Sequence, residues 1–204
     1  MDIFLKGKGI NLTVLTDKDI EDSNWYNWFN DEETCVFLNK HFYPNTKEKQ
    51  HHFYNSIKES DAKIVLGVSS NNSKQIVGVC SIDDINIFHR TCSISLVMGD
   101  EESRTTQNSL EAIYLLIKHA FFTLNMRKIR MGQMQGLFVW VDVLQKNFGV
   151  IQEGMLQKEY YKNGQYVDVF QIALFKDDFI KKMNEDLFFT SEKRFYKKMN
   201  CSCE

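Results

Sequence analysis

The feature that most constrains this chain lies between residues 93 and 122. Ser93-Ile94-Ser95-Leu96-Val97-Met98 reads as a strand and stops at Gly99-Asp100. A polar stretch follows, Glu101-Glu102-Ser103-Arg104-Thr105-Thr106-Gln107-Asn108-Ser109, and then an apolar helix predicted from Leu110 to about Phe122. A strand feeding a helix through a polar loop aims backbone N–H groups and the positive helix end at one spot, which favours an anion such as phosphate. A second strand over 128–134 and a short helix over 142–147 continue the pattern and end in Phe148-Gly149-Val150-Ile151-Gln152-Glu153-Gly154.

The rest of the chain supplies the sheet around this unit. Residues 9–15 alternate like a strand. Thr16-Asp17 caps a helix predicted through Trp25-Tyr26-Asn27-Trp28-Phe29, and Asn30-Asp31 offers a turn. Thr46 caps a helix to about Ser60, with Phe53 and Ile57 on one face. Strands over 62–68, 76–82 and 91–98 form an antiparallel run, the first two joined by a turn at 69–73. A late strand covers 167–174, and Asn163-Gly164 is a hairpin turn before it. From Lys176 the chain is charged and helical, with Phe179, Met183, Leu187 and Phe188 on one stripe that docks on protein. The expected class is α/β of the mixed α+β kind: one domain over 1–176 with a mostly antiparallel sheet flanked by helices, and a helical extension over 177–204.

Composition excludes some functions. A net charge of −2 gives no global basic field for nucleic acid. No apolar run reaches the roughly 20 residues of a transmembrane helix, and the first residues do not resemble a secretory signal, so a cytoplasmic location is expected. Five scattered cysteines argue against a disulfide framework, and Cys201-Ser202-Cys203 is too sparse for zinc. His51-His52 on one helix point to different faces, so no metal site is expected.

The succession resembles the acetyl-CoA-binding core of the GNAT N-acyltransferases over roughly residues 5–175. Leu5-Lys6-Gly7-Lys8-Gly9-Ile10-Asn11-Leu12 is similar to the first strand of the branch containing ribosomal-protein alanine acetyltransferases. Trp28-Phe29-Asn30-Asp31-Glu32-Glu33 is similar to an element of that branch and of sugar-nucleotide N-acetyltransferases. Met98-Gly99-Asp100 with Arg104 resembles the end of the family's fourth strand and the start of its pyrophosphate loop. Leu110-Glu111-Ala112-Ile113, Ala120-Phe121-Phe122-Thr123-Leu124-Asn125, residues 146–154 and Tyr166-Val167-Asp168 match later family elements in order.

The resemblance implies a sheet whose fourth and fifth strands are a parallel pair that splays apart. The pantetheine arm of acetyl-CoA then pairs with backbone groups of Leu96, Val97 and Met98. The pyrophosphate sits on Arg104, Thr105, Thr106, Gln107, Asn108 and Ser109. An amine attacks the thioester directly, and its oxyanion needs donors near the splay. The sequence also departs from the family. Its loop pattern, Arg/Gln-x-x-Gly-x-Gly/Ala, is met here by Gln107 and Ser109 in the glycine positions. Gln107 occupies space where glycine lets backbone approach phosphate, whereas the hydroxyls of Thr105, Thr106 and Ser109 offer replacement donors. Phe138 and Val141 replace an Asn and a Ser, Gln145 falls near the usual tyrosine acid, and Ser93 falls near the usual glutamate.

Direct attack needs a neutral amine, so a base must take its proton. The candidates are Asp83, Asp84, His89 and the helix-side Glu32 and Glu33, with Tyr160 as a donor to the leaving thiol. Paired acids after a strand are otherwise turn formers, and a turn histidine is otherwise solvated. Trp28, Asn30, Glu32 and Tyr161 are the candidate acceptor contacts, with core packing as the competing role for the aromatics. The expected function is acetyl transfer from acetyl-CoA to a small primary amine, with a nucleotide-linked amino sugar favoured. Transfer to a protein N-terminus or an aminoglycoside is the enzymatic alternative, and a scaffold of the same fold without CoA activity is the other. A homodimer is compatible with the apolar stripe of the extension.

Overall fold

The apolar and β-branched runs of the chain build one twisted sheet. The structure is a computed structural model that describes residues 1–70 and 75–185. Asn71, Asn72 and Ser73 of the expected turn, and Leu187, Phe188, Cys201 and Cys203 of the extension, lie outside the described residues. The strands are β1 (Ile3–Lys6), β2 (Ile10–Val14), β3 (Ile64–Ser70), β4 (Ile76–Asn86), β5 (Thr91–Met98), β6 (Lys128–Met134), β7 (Ile151–Lys162) and β8 (Gln165–Phe175). They lie in the order β1-β2-β3-β4-β5-β6-β8-β7.

Neighbours pair antiparallel except β5 and β6, which run parallel through Thr91↔Lys128, Cys92↔Ile129 and Ser93↔Arg130 and then part. Beyond that point β5 stays on β4 as far as Gly78↔Met98, and β6 stays on β8 as far as Met134↔Val169. A wedge therefore opens between two strands that are each held from the outside. The expected splayed parallel pair is present.

The helices are α1 (Asp17–Asp22), α2 (Trp25–Trp28), α3 (Glu32–Cys35), α4 (Lys47–Lys58), α5 (Thr106–Lys118), α6 (Phe138–Phe148) and α7 (Lys176–Glu185). The helix expected from Asp17 through Phe29 is broken, because Ser23 turns its hydroxyl back to the Asp19 carbonyl and accepts from the Trp25 amide instead of continuing the ladder. Asn30-Asp31 is more than a turn: the Asp31 carboxylate accepts from the Thr34 amide at 2.7 Å and starts α3. The segment read as a first strand is a hairpin, with Gly7 and Gly9 between β1 and β2. Glu111 of α5 accepts from the amides of Lys8, Gly9 and Ile10 in that turn and pins it to the helix. Helix α5 begins four residues before the apolar run, since Thr105 caps it by accepting from the Asn108 amide at 3.1 Å. It ends in a π turn at His119–Thr123.

The core lies on both faces of the sheet. On one face α5 packs on β2 and β5 through Ala112, Leu116, Ile117 and Phe121, joined by Phe148 of α6. Phe179 of α7, fully buried, sits among the rings of Tyr114, Phe121, Phe122 and Phe148. On the other face Trp25, Trp28 and Tyr54 cover Ile76 and Val79. No helix among the described residues is long and apolar enough to cross a membrane.

Candidate active site

Strand β5 is the wall between two clefts. The narrower, of about 490 Å³, occupies the wedge between β5 and β6. Its sides are Ile94 to Met98, Met131 to Gln133 and Trp140 of α6, and its mouth carries Arg104, Thr105, Thr106 and Ser109. The wider, of about 920 Å³, lies on the other side under α4 and the segment 38–45. Leu38, Ser95, Leu96 and Val97 line both, so the clefts meet at the middle of β5.

Most of the loop's donors are already engaged. The amides of Arg104, Thr105 and Ser109 donate to the carbonyls of Glu101, Ser103 and Thr105, and the Asn108 amide donates to its cap. Thr106 and Gln107 hold the first helix amides, which point out of the α5 N-terminus without an intrahelical acceptor. Arg104 works as a clamp: its Nε donates to the Met98 carbonyl at 3.0 Å, and its Nη2 to the Thr34 hydroxyl at 2.8 Å. The Met98 carbonyl is thereby occupied, which leaves Leu96 and Val97 as the open part of the edge. Neither Gln107 nor Asn108 lines the cleft with its side chain; Asn108 turns away and donates to the Ser103 carbonyl.

The wider cleft holds a connected polar chain. Antiparallel pairing puts Ser81 of β4 directly across from Ser95 of β5. Their hydroxyls are 2.6 Å apart, and Ser81 donates to Asp83 Oδ2 at 2.5 Å. Ser95 itself lies 3.4 Å from the same oxygen. Lys63 Nζ forms an ion pair with Oδ1 at 2.8 Å, off the line of a good hydrogen bond. Asp84 follows at a bulge with positive φ, and its Oδ2 accepts from the Ser93 hydroxyl at 3.1 Å. Lys63, Ser81 and Ser95 carried no signal in the sequence by themselves.

Several expected site residues sit elsewhere. His89 is exposed in the β4–β5 turn and lines neither cleft. It supports that turn through its backbone, its amide donating to Asn86 and its carbonyl accepting from Arg127. Tyr160 and Tyr161 lie on the outer strand β7 and line neither cleft; Tyr161 packs edge-on against Tyr166. Trp28 is core: a Cβ on Gly99 would stand 1.9 Å from its indole, so ring and glycine are in direct contact. Asn30 holds the cleft's roof, accepting from the Asn45 amide at 2.7 Å and donating to the Asn45 carbonyl at 2.9 Å. Glu32 is exposed at the start of α3, while its neighbours Glu33 and Thr34 reach the narrow cleft. Lys162 of β7 ties the same roof down by donating to the carbonyls of Leu38 and Lys40.

Cys80 lines the wider cleft, but burial pushes its thiol far up, and burial likewise raises Cys92 to about 12. Neither thiol is poised as a thiolate near neutral pH.

No family model matches the sequence, and no curated protein matches it. Solved structures do. A spermidine N-acetyltransferase from Vibrio cholerae, determined with CoA and spermine, superposes with a TM-score of 0.74 at 19% identity, covering 85% of this chain and 99% of that one. The spermidine/spermine N-acetyltransferase of the same organism with manganese ions gives 0.68 at 20% identity, over 85% of this chain and 96% of that one. A protein from T. thermophilus described as an acetyltransferase gives 0.70 at 17% identity, over 90% of this chain and 95% of that one. The chain therefore has the GNAT acetyltransferase fold.

Proposed function

We propose that the protein transfers an acetyl group from acetyl-CoA to a primary amine by direct attack. The observation that carries this reading is the shared wall: one strand, β5, offers an open backbone edge to a narrow cleft and a proton-carrying side chain to a wide one. The narrow cleft suits CoA. An extended pantetheine arm finds unpaired backbone at Leu96 and Val97, and a pyrophosphate finds the Thr106 and Gln107 amides, the Thr106 hydroxyl and the Arg104 charge. Bound there, acetyl-CoA supplies an activated acetyl carbon beside Ser95.

The chain's own residues handle the amine and its proton. An ammonium entering the wide cleft is drawn by Asp84, gives one proton to water and meets the Ser95 hydroxyl as a neutral amine. As the N–C bond forms and the C–S bond breaks, the second amine proton passes to Ser95 Oγ. The Ser95 proton moves to Ser81, and the Ser81 proton to Asp83 Oδ2, each over a single hydrogen bond. Asp83 is partly exposed, so water can then remove the proton. In this scheme Ser95 touches the reacting nitrogen, while Asp83 and Ser81 act through it. A tyrosine acid is not needed if the leaving thiolate takes its proton from solvent.

The acceptor has two candidate chemistries. The Vibrio neighbour is named for spermidine, a polycation. The resemblance of Trp28-to-Glu33 suggested a nucleotide-linked amino sugar, a polyanion, but that element is explained by packing on Gly99 and by the Asn30–Asn45 contacts. A second reading, a binding module without CoA chemistry, is favoured by one observation: Glu33, Asp100, Glu101 and Glu102 surround a phosphate loop whose one lining cation is Arg104.

Calorimetric titration with acetyl-CoA tests the proposal, followed by CoA-thiol release in the presence of amines. Micromolar binding with amine-dependent thiol release supports acetyl transfer. No binding at millimolar acetyl-CoA removes it and leaves the binding module.

A further inference from the structure

We infer that the acceptor carries an anionic group, a phosphate or a carboxylate, at the end away from its amine. This rests on the acetyl-transfer reading and deepens it, and it is decided by how charge is laid out in the wide cleft. The two acids, Asp83 and Asp84, stand on the sheet wall formed by β4. Three lysines line the same cleft: Lys63 beside the sheet, Lys40 on the 38–45 segment and Lys49 on α4.

Lys63 and Asp83 neutralise one another at 2.8 Å. What remains is asymmetric. Asp84, bonded to a serine hydroxyl and to no cation, marks the amine side. Lys40 and Lys49 line the same cleft from the 38–45 segment and α4 rather than from the sheet. Lys49 Nζ gives one hydrogen to the Pro44 carbonyl at 2.7 Å and keeps two for a ligand. Lys40 is exposed and makes no side-chain hydrogen bond or ion pair among the described residues. The segment that bears Lys40 is fixed in place by Asn30, Asn45 and Lys162, so its charge is presented from an anchored roof.

A polyamine would place two or more ammonium groups in a cleft with one unpaired carboxylate and two unpaired lysines. Like charges gathered in one cleft repel, and the site selects against it. An amine with a distal anion instead meets a carboxylate at one end and two ammonium groups at the other. Tyr43, on the 38–45 segment, lines the cleft and offers a face for a ring. A cleft of about 920 Å³ has room for a molecule of sugar-phosphate size or larger.

The test is calorimetry on the full chain without acetyl-CoA, with four probes: glucosamine, glucosamine 6-phosphate, 6-aminohexanoate and spermidine. We expect an anion-bearing amine to bind at least about tenfold tighter than glucosamine, with the gain falling as salt rises. The phosphate and carboxylate probes separate the two sources of charge. Lys40→Met on the roof and Lys49→Met on α4 each remove most of the gain over glucosamine. Spermidine binding tightest, or a gain that survives both substitutions, overturns the inference. Acetyl transfer is read separately. Anion-selective binding together with no acetyl-CoA binding sinks the acetyl-transfer reading and leaves the anion site. Acetylation of spermidine without anion selectivity does the reverse.

Discussion

The two clefts that share β5 are built by different means. The narrow one is made of backbone: an unpaired strand edge, two helix amides and a loop folded on its own hydrogen bonds. The wide one is made of side chains: a serine pair, an aspartate held by a lysine, and a roof pinned through Asn30, Asn45 and Lys162. A backbone site survives sequence drift, because the amide is the same whatever residue carries it. Gln107 can therefore stand at the helix start without lining the cleft, and Ser109 turns its hydroxyl to the Thr105 carbonyl. A side-chain site has no such tolerance, and each substitution there should read out in rate or selectivity.

The largest expected effect breaks the wide cleft alone. Asp83→Asn keeps shape and removes the end of the proton chain. We expect kcat for amine acetylation to fall about 100-fold, within the range for loss of a proton-transfer group, with acetyl-CoA affinity unchanged in calorimetry. Ser95→Ala should lower kcat as well, since it removes the member nearest the amine. An Asp83→Asn enzyme with full kcat would show that the proton leaves by another route.

Next comes a change that damages both clefts at once. Gly99 ends β5 beneath the Trp28 ring, and an alanine there puts its Cβ inside the indole. Overpacking of this kind costs about 3 kcal/mol, so Gly99→Ala should lower the denaturation midpoint and weaken acetyl-CoA together. The double variant with Trp28→Leu should lose less than the sum of the two single losses, because the clash disappears with the ring.

These two contacts also show where the sequence stopped being legible. The strand–loop–helix unit could be read because its signals are local: the apolar runs of β5 and α5, and the chemistry of a helix start. The helix start itself was read at Leu110, not Thr106, because Thr105 was not recognised as the cap. Trp28 and Gly99 lie far apart in the chain, and nothing near either residue announces the other. The serine pair was hidden for a different reason. Asn86 faces Thr91 across the turn, and an unbroken ladder from there would set Ser81 opposite Leu96. The bulge between Asp83 and Asn86 slips the register by one and sets Ser81 opposite Ser95 instead. A one-residue slip exchanges the faces of a strand, so Asp83 could be named from its position but not its partners. His89, Tyr160 and Tyr161 are residue types able to do chemistry, but topology places them at the β4–β5 turn and on an outer strand.

The narrow cleft offers the two smaller effects. Arg104 is clamped on the Met98 carbonyl and Thr34 hydroxyl, yet these acceptors are neutral and its charge stays at the mouth of the narrow cleft. Arg104→Ala should weaken acetyl-CoA about tenfold, through lost charge and a loosened β5 end, with Arg104→Lys recovering the charge but not the fork. Glu33 sits at the same mouth and works against an anion. Glu33→Gln should therefore tighten acetyl-CoA about two- to threefold at low salt, the size expected of an exposed charge, and the gain should fade as salt is added. Only a phosphate close to α3 makes removal of an acid beneficial. Dephospho-CoA and acetyl-CoA gaining equally would place that phosphate in the pyrophosphate, whereas a gain limited to acetyl-CoA would place the 3′-phosphate there.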